Sequence, residues 1–327
     1  MKARDGHLDF LSSAGWGSAE VQPLAGDASF RRYFRVHDRG RRAVLMDAPP
    51  EHEDVRPFLQ VADLLVGAGF SAPRLLAGDI DRGFLLIEDF GDQLMGPVLA
   101  AEPMREEAVY GQAVNLLTEL HRLPPQELPP YDHAALSREV MVFADWYAKA
   151  AGIAIDAESY LAAWDVIWAG VLQDTVRKPV VTLRDYHADN LMLLPERPGV
   201  QALGLLDFQD ALAGHPAYDL VSLLQDARRD VSPRLERAML AQFVAGSESL
   251  DAEHFRASYE VLGAQRNVKI LGVFVRLRDR DGRQGYVERL PRVWSYIERN
   301  FAHPALLPVK DWFDANVPMD KRSAWCR

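Results

Sequence analysis

Over the first ninety residues, apolar positions come in short runs rather than at helical spacing. Segments 32–37 (opening RYFRV), 42–47 (RAVLMD), 74–78 and 83–88 (GFLLIE) therefore read as strands. One helical stretch separates them, at about 53–68, where Phe58, Ala62, Leu65 and Val66 recur at helical intervals. Turns are marked by Gly40, by Pro49-Pro50 and by the segment from Gly69 to Pro73. Strands interrupted by a single helix predict a small α+β lobe on an antiparallel sheet.

Beyond EDFGD (88–92) the pattern turns helical, with candidates at 104–122, about 137–150, 157–176, 217–228, 233–245, 252–277 and 284–300. The interval 179–208 is the exception: PVVTL, RDYHADN, LMLL and LGLLDF alternate apolar strands with polar bends. The spacing thus predicts an N-terminal sheet lobe over 1–91 and a larger, mainly helical lobe over 92–327, with a ligand cleft between them.

A length of 327 residues fits two domains, and 48% hydrophobic residues with 26% charged is ordinary for a globular chain. The net charge of −10 argues against a general nucleic-acid binder. Its cations are six Lys and thirty-one Arg; planar forks suit phosphate or carboxylate, but for most of them surface solvation is the simpler account. A single cysteine, Cys326, excludes a disulfide framework and a cysteine-based zinc site. No apolar run is long enough to cross a bilayer, and the opening MKARDGHLDF lacks a secretory core, so a cytoplasmic setting is expected. The nine His include no H-E-x-x-H pair, which disfavours a metal-dependent hydrolase.

The chemistry concentrates in Leu183-Arg184-Asp185-Tyr186-His187-Ala188-Asp189-Asn190 and in Leu205-Leu206-Asp207-Phe208-Gln209. Arg184-Asp185 precedes Asn190 by four intervening residues, and Asp207-Phe208 follows 17 residues beyond Asn190, the spacing of a phosphoryl-transfer loop. A tight loop between strands would turn Asp185 toward an incoming hydroxyl and Asn190 toward a metal, with Asp207 delivered by the next strand end. Carboxylate and amide oxygens suit Mg²⁺. The alternative frame, His187-Ala188-Asp189 as H-x-D, would put Leu194 where the metal-binding Asn belongs, and it fails. Ordinary turn chemistry also favours Asp and Asn, but it does not account for the paired spacing between apolar strands.

These residues, with Asp219 in YDLVSLLQD, resemble the aminoglycoside phosphotransferase and choline kinase family, relatives of the protein kinases. Within it, GDASFRRYFRV, VLMDAPPE, FLLIEDFGD, LRDYHADNLM, LLDFQDALAGHPAYDLVSLLQDAR and QRNVKILGVFVRL are similar to bacterial kinases that phosphorylate N-acetylmuramate and N-acetylglucosamine at the anomeric carbon. The resemblance implies a protein-kinase-like two-lobed α+β fold. It also implies ATP and Mg²⁺ as cofactors, and a role in peptidoglycan-sugar recycling. Asp185 would be the catalytic acceptor of the hydroxyl proton, Asn190 and Asp207 the metal ligands, and Asp219 the support of the catalytic loop.

Three departures from the family accompany the match. Leu183 replaces the usual His two residues before the catalytic Asp. Met46 and Phe58 stand where a strand Lys and a helix Glu pair in relatives. GDASFRR carries one Gly where a glycine-rich loop has three, so Ser29, Arg31 and Arg32, with Arg35 nearby, are the expected phosphate partners. Glu88 and Phe90 would form the hinge that reads adenine. For the acceptor, Arg266 is a candidate for a lactyl carboxylate, Trp146 for stacking a sugar ring and Asp210 for sugar hydroxyls. The competing functions are an aminoglycoside or choline-type phosphotransferase and, from the Met46/Phe58 replacement, a non-catalytic nucleotide-binding regulator.

Overall fold

A short helix, α1 (His7–Ser13), buries Phe10 and Leu11 in a cluster with residues of a five-stranded antiparallel sheet. Its strands are β1 (Glu20–Pro23), β2 (Arg32–Asp38), β3 (Arg41–Asp47), β4 (Leu75–Asp79) and β5 (Phe84–Ile87), in spatial order β1-β2-β3-β5-β4. The register pairs Phe34 with Leu45 and Leu45 with Leu86, so alternate positions carry Phe34, Val36, Ala43, Leu45, Phe84 and Leu86 into that cluster. Phe10 stacks on Phe84 with ring centroids 5.8 Å apart. β3 is buried on both faces from Ala43 to Asp47, which explains its continuous apolar run. Between β3 and β4 lies α2 (Arg56–Gly67), whose buried stripe is Phe58, Val61, Ala62 and Leu65.

The structure describes residues 2–24, 30–125, 127–247 and 250–322. Four further short strands follow: β6 (Val180–Thr182), β7 (Leu191–Leu193), β8 (Leu203–Leu205) and β9 (Leu212–Gly214). β7 pairs with β8 and β6 with β9. The chain divides into two compact units. One is the stretch up to Pro103 with Asp189–Asp210; the other is Met104–Ala188 with the stretch from Ala211 onward. The β7/β8 hairpin belongs to the first unit because Leu205 N–H donates to the Ser71 carbonyl (2.7 Å) and Leu193 N–H to the Gln93 carbonyl (2.8 Å). That unit also holds α3 (Met95–Ala101).

The second unit is helical around the β6/β9 pair. Its helices are α4 (Glu106–Leu120), α5 (His133–Val142), α6 (Lys149–Ala151), α7 (Ala157–Arg177), α8 (Ala217–Leu224), α9 (Pro233–Gly246), α10 (Ala252–Asp279), α11 (Leu290–Phe301), α12 (Leu307–Asn316) and α13 (Met319–Arg322). α10 runs through the middle, packed against α5, α8 and α11, and is buried nearly all round, polar Gln265, Arg266 and Asn267 included. Among the described residues no helix is long and apolar enough to cross a membrane.

The helix expected over 137–150 differs in detail. It starts earlier, because Asp132 caps α5 by accepting from Ala135 N–H (2.9 Å), and it widens into a π turn over Phe143–Ala148. At that turn α10 crosses closely: a Cβ on Gly272 would lie 2.1 Å from the Val142 carbonyl oxygen. The chain has no room there for any side chain. Gly272→Ala should therefore cost about 1–3 kcal/mol of stability through overpacking, measured as a lowered denaturant midpoint.

Candidate active site

In the second unit, β6 runs into the loop that carries Asp185, and one carboxylate fixes its backbone. Asp219, fully buried on the first turn of α8, accepts the N–H of Leu183 at 2.6 Å and of Arg184 at 2.7 Å. Burial pushes its carboxyl up to about 7 although both backbone donors favour the anion. Three non-glycine residues among those described adopt left-handed φ, and Arg184 (71°) and Asp207 (54°) are two of them. Such backbone costs about 1–3 kcal/mol at a site and persists only where neighbours hold it. For Arg184 the holders are the Asp219 bond and, through its guanidinium, Glu139.

Glu139 is the hub beneath the loop. On the buried face of α5 it takes hydrogen bonds from Arg184, from the Tyr131 hydroxyl, from Lys269 Nζ (2.8 Å) and from Gln265 Nε2 (2.9 Å). Burial works against its charge, but Lys269 and Arg184 outweigh that and hold it at about 2. The same cations surround Asp185. Arg266 Nη2 lies 4.0 Å from Asp185 Oδ1 and donates to Ser222 Oγ at 2.7 Å. Burial opposes the Asp185 charge as well; His187, Lys269, Arg266 and Arg184 hold its carboxyl below the ordinary range. Since burial drives His187 well below its usual pKa, the permanent cations Lys269, Arg266 and Arg184 are what keep Asp185 ionised at neutral pH. Asp185 is half-exposed, whereas Arg266 is almost completely buried. An ionised, accessible carboxylate on a pinned loop can orient a hydroxyl and receive its proton.

In the first unit, Asn190 immediately precedes β7 and Asp207 follows β8 by one residue. The Asn190 carbonyl accepts from Leu206 N–H (3.0 Å), which ties the two positions across the hairpin. Asp207 Oδ1 receives Arg31 Nη2 at 3.0 Å and Gln209 Nε2 at 2.9 Å. Met46 is fully buried on β3, and Phe58 stacks on Phe208 at 5.0 Å. Apolar packing therefore occupies Met46 and Phe58, the positions where the resemblance implies a Lys–Glu pair.

Glu88 and Phe90, expected at the hinge, are tied together by Arg197. It donates to Glu88 Oε1 at 2.5 Å and lies over the Phe90 ring at 5.0 Å, while Phe90 packs so closely on β8 that a Cβ on Gly204 would meet it at 2.7 Å. Arg35 is committed to Asp89 and Asp92. Arg32 donates to the Lys2 carbonyl at 3.2 Å. Ser29 lies outside the described residues. Asp210 is exposed at the end of the first unit; Trp146 is partly buried on the π turn beside Tyr147, a core residue.

Sequence reasoning passed over Glu139 and Arg197. Glu139 had a signal: it shares a helical face with Leu136, Val140 and Phe143, and an acid on an apolar stripe demands a buried cation. Arg197 had none, because its partners lie more than a hundred residues away in the chain.

Residues 20–259 match the model of the phosphotransferase enzyme family. The chain is 38% identical to the N-acetylmuramate/N-acetylglucosamine kinase of Caulobacter vibrioides, with 96% of each chain covered. It is 39% identical to the enzyme of that name from Pseudomonas aeruginosa, over 89% of this chain and 87% of the other. In fold it is similar to a choline/ethanolamine kinase family protein from Mesorhizobium loti (TM-score 0.59, 16% identity, covering 89% and 92% of the two chains). It is likewise similar to the aminoglycoside phosphotransferase of a gentamicin-APH(2")-IIa complex (TM-score 0.60, 12% identity, 94% and 100%).

Replacing Glu139 by Gln leaves Lys269 and Arg184 without their counter-charge, and breaking a buried pair this way should cost about 3–5 kcal/mol. Because the folded Glu139 carboxyl titrates at about 2 against an ordinary 4.5, its contribution is complete above the higher value. It disappears as the pH falls through the lower one. Acid denaturation curves should show that loss in the parent chain and a flatter profile in Glu139→Gln.

Proposed function

Since the chain belongs to the phosphotransferase enzyme family and is a small-molecule kinase that uses ATP, we propose that its acceptor is N-acetylmuramate or N-acetylglucosamine, phosphorylated at the anomeric hydroxyl. The observation that carries this reading is the identity of 38–39% to kinases of that name across nearly the whole of both chains. The cations beside Asp185 support it. Arg266, 4.0 Å from Asp185, suits a lactyl carboxylate, whereas cationic aminoglycosides and choline call for acids or aromatic cages.

In this reading Asp185 orients the sugar hydroxyl and accepts its proton as the phosphoryl group departs from ATP. An anomeric hydroxyl is more acidic than an ordinary alcohol, so the ionised Asp185 is base enough. Arg31, almost wholly buried and pointed at Asp207, supplies the cation for the nucleotide phosphates in place of the missing strand Lys. The Asn190 amide and Asp207 carboxylate are the oxygen donors that would hold Mg²⁺; among the described residues no His/Cys/Asp/Glu cluster could hold a metal by itself. That fits an ion bound by one or two protein groups plus substrate phosphates. When bound, Mg²⁺ would neutralise charge developing on the transferred group. The reaction belongs in the cytoplasm, where ATP and recycled wall sugars are both present.

A regulator that binds nucleotide without catalysis, the alternative suggested by Met46 and Phe58, is disfavoured by the care with which Asp185 is held ionised on a pinned, strained loop. Incubation with Mg-ATP and a panel of both amino sugars, aminoglycosides and choline, read by phosphorus NMR, tests the acceptor. An anomeric phosphate is expected on the amino sugars, and phosphate on kanamycin alone overturns the assignment. Asp185→Asn should lower kcat by about two to four orders of magnitude while ATP affinity, measured by calorimetry, stays near the parent value.

A further inference from the structure

Ser222 lies on α8, fully buried and one turn beyond Asp219. Its hydroxyl is the acceptor for a buried cation: Arg266 Nη2 of α10 donates to Ser222 Oγ at 2.7 Å. That same nitrogen lies 4.0 Å from Asp185 Oδ1. We propose that Ser222 is a positioning residue for phosphoryl transfer, a role that rests on the reading of Asp185 as the proton acceptor. Its hydroxyl holds the Arg266 guanidinium off Asp185 and so keeps that carboxylate an acceptor for the incoming hydroxyl.

A charge-assisted N–H···O⁻ bond closes to about 2.7–2.9 Å, so the gap to Asp185 is about 1 Å too long for one. The neighbouring cations do close. Lys269 Nζ reaches Glu139 at 2.8 Å, and the Arg184 guanidinium bonds the same carboxylate. Among the described residues Arg266 hydrogen-bonds no carboxylate, and the partner it has is neutral. A buried cation must place its N–H groups on acceptors. Without the Ser222 hydroxyl, the carboxylate that stands ready to take over is Asp185.

Direct pairing would harm the base twice. It would occupy an oxygen that has to receive the hydroxyl proton, and it would stabilise the anion further and weaken its pull on that proton. Held at 4.0 Å, Arg266 lends its charge without taking a lone pair. Residues three apart on a helix share a face, which lets α8 do both jobs. Asp219 fixes the loop backbone at Leu183 and Arg184, and Ser222 fixes the cation beside the carboxylate that this loop carries. The charged and titratable groups acting on Asp185 come from three elements: His187 and Arg184 of its own loop, Arg266 and Lys269 of α10, and Asp219 of α8. Ser222 sets the distance of Arg266.

Single-turnover transfer from Mg-ATP to the best acceptor of the panel, followed in the full chain from about pH 4 to 9, reads this role. Ser222→Ala should slow transfer about tenfold on the neutral plateau and move the acid limb down by about one pH unit, because a directly paired Asp185 is a weaker base and harder to protonate. Ser222→Cys keeps the volume but accepts hydrogen bonds poorly, and should behave alike. ADP affinity should stay at the parent value in both. In an Arg266→Met background Ser222→Ala should add no further loss, since the hydroxyl then has no cation to hold. Parent rates with an unmoved acid limb in both Ser222 variants overturn the role. So does slower transfer with the acid limb unmoved, which leaves Ser222 to packing, and so does an equal loss with or without Arg266. Asp185→Asn separates Ser222 from its premise. Slow transfer there beside parent rates in the Ser222 variants removes the role of Ser222 alone, whereas parent transfer in Asp185→Asn removes both.

Discussion

One buried carboxylate with two backbone amides on it sets the terms for the second unit's chemistry. Asp219 costs free energy to bury and returns it only by satisfying Leu183 and Arg184, amides that the loop leaves without strand partners. This bond forces Arg184 into a conformation a non-glycine residue avoids. Glu139 then has to receive the Arg184 guanidinium, and Lys269 has to balance what remains of the Glu139 charge. The ionisation of Asp185 is the outcome of that chain. Its neighbours are cations because the loop beneath it was anchored by acids.

Much of the architecture was legible because the first unit obeys period two and the second period 3.6. Phe34, Val36, Ala43 and Leu45 alternate into a single cluster, and the strands expected around them appear with boundaries displaced by a residue at most. What pattern could not show was set by distant contacts. β1 has only partly buried or exposed positions, so it carries no apolar signal and exists by pairing with β2. β9, three residues long, exists by pairing with β6. The π turn after α5 sits where α10 crosses closely at Gly272, which nothing in the local sequence of α5 announces.

The site was legible in the same uneven way. The spacing of Asp185, Asn190 and Asp207 could be read directly, and Asp219 could be named as the loop support. The members supplied by side chains remote in sequence could not. Arg197 reaches Glu88 across more than a hundred residues, and Lys269 joins Glu139 from a helix comparably far along the chain. Arg35, which looked free for phosphate, is held by Asp89 and Asp92. Sequence spacing reveals groups that one loop presents together; it is blind to which cation folding delivers to which acid.

The stacking of Phe58 on Phe208, with Met46 sealed in β3, has a bearing on how such an enzyme can be governed. Where a lysine and a glutamate must meet, the helix can be swung away and the ion pair opened like a circuit breaker. Dispersion between rings offers no such handle, being indifferent to ionic strength and to protonation. The helix α2 is thereby wedged in place rather than latched. A change of salt or of pH alone therefore gives no means of releasing α2 from Phe208.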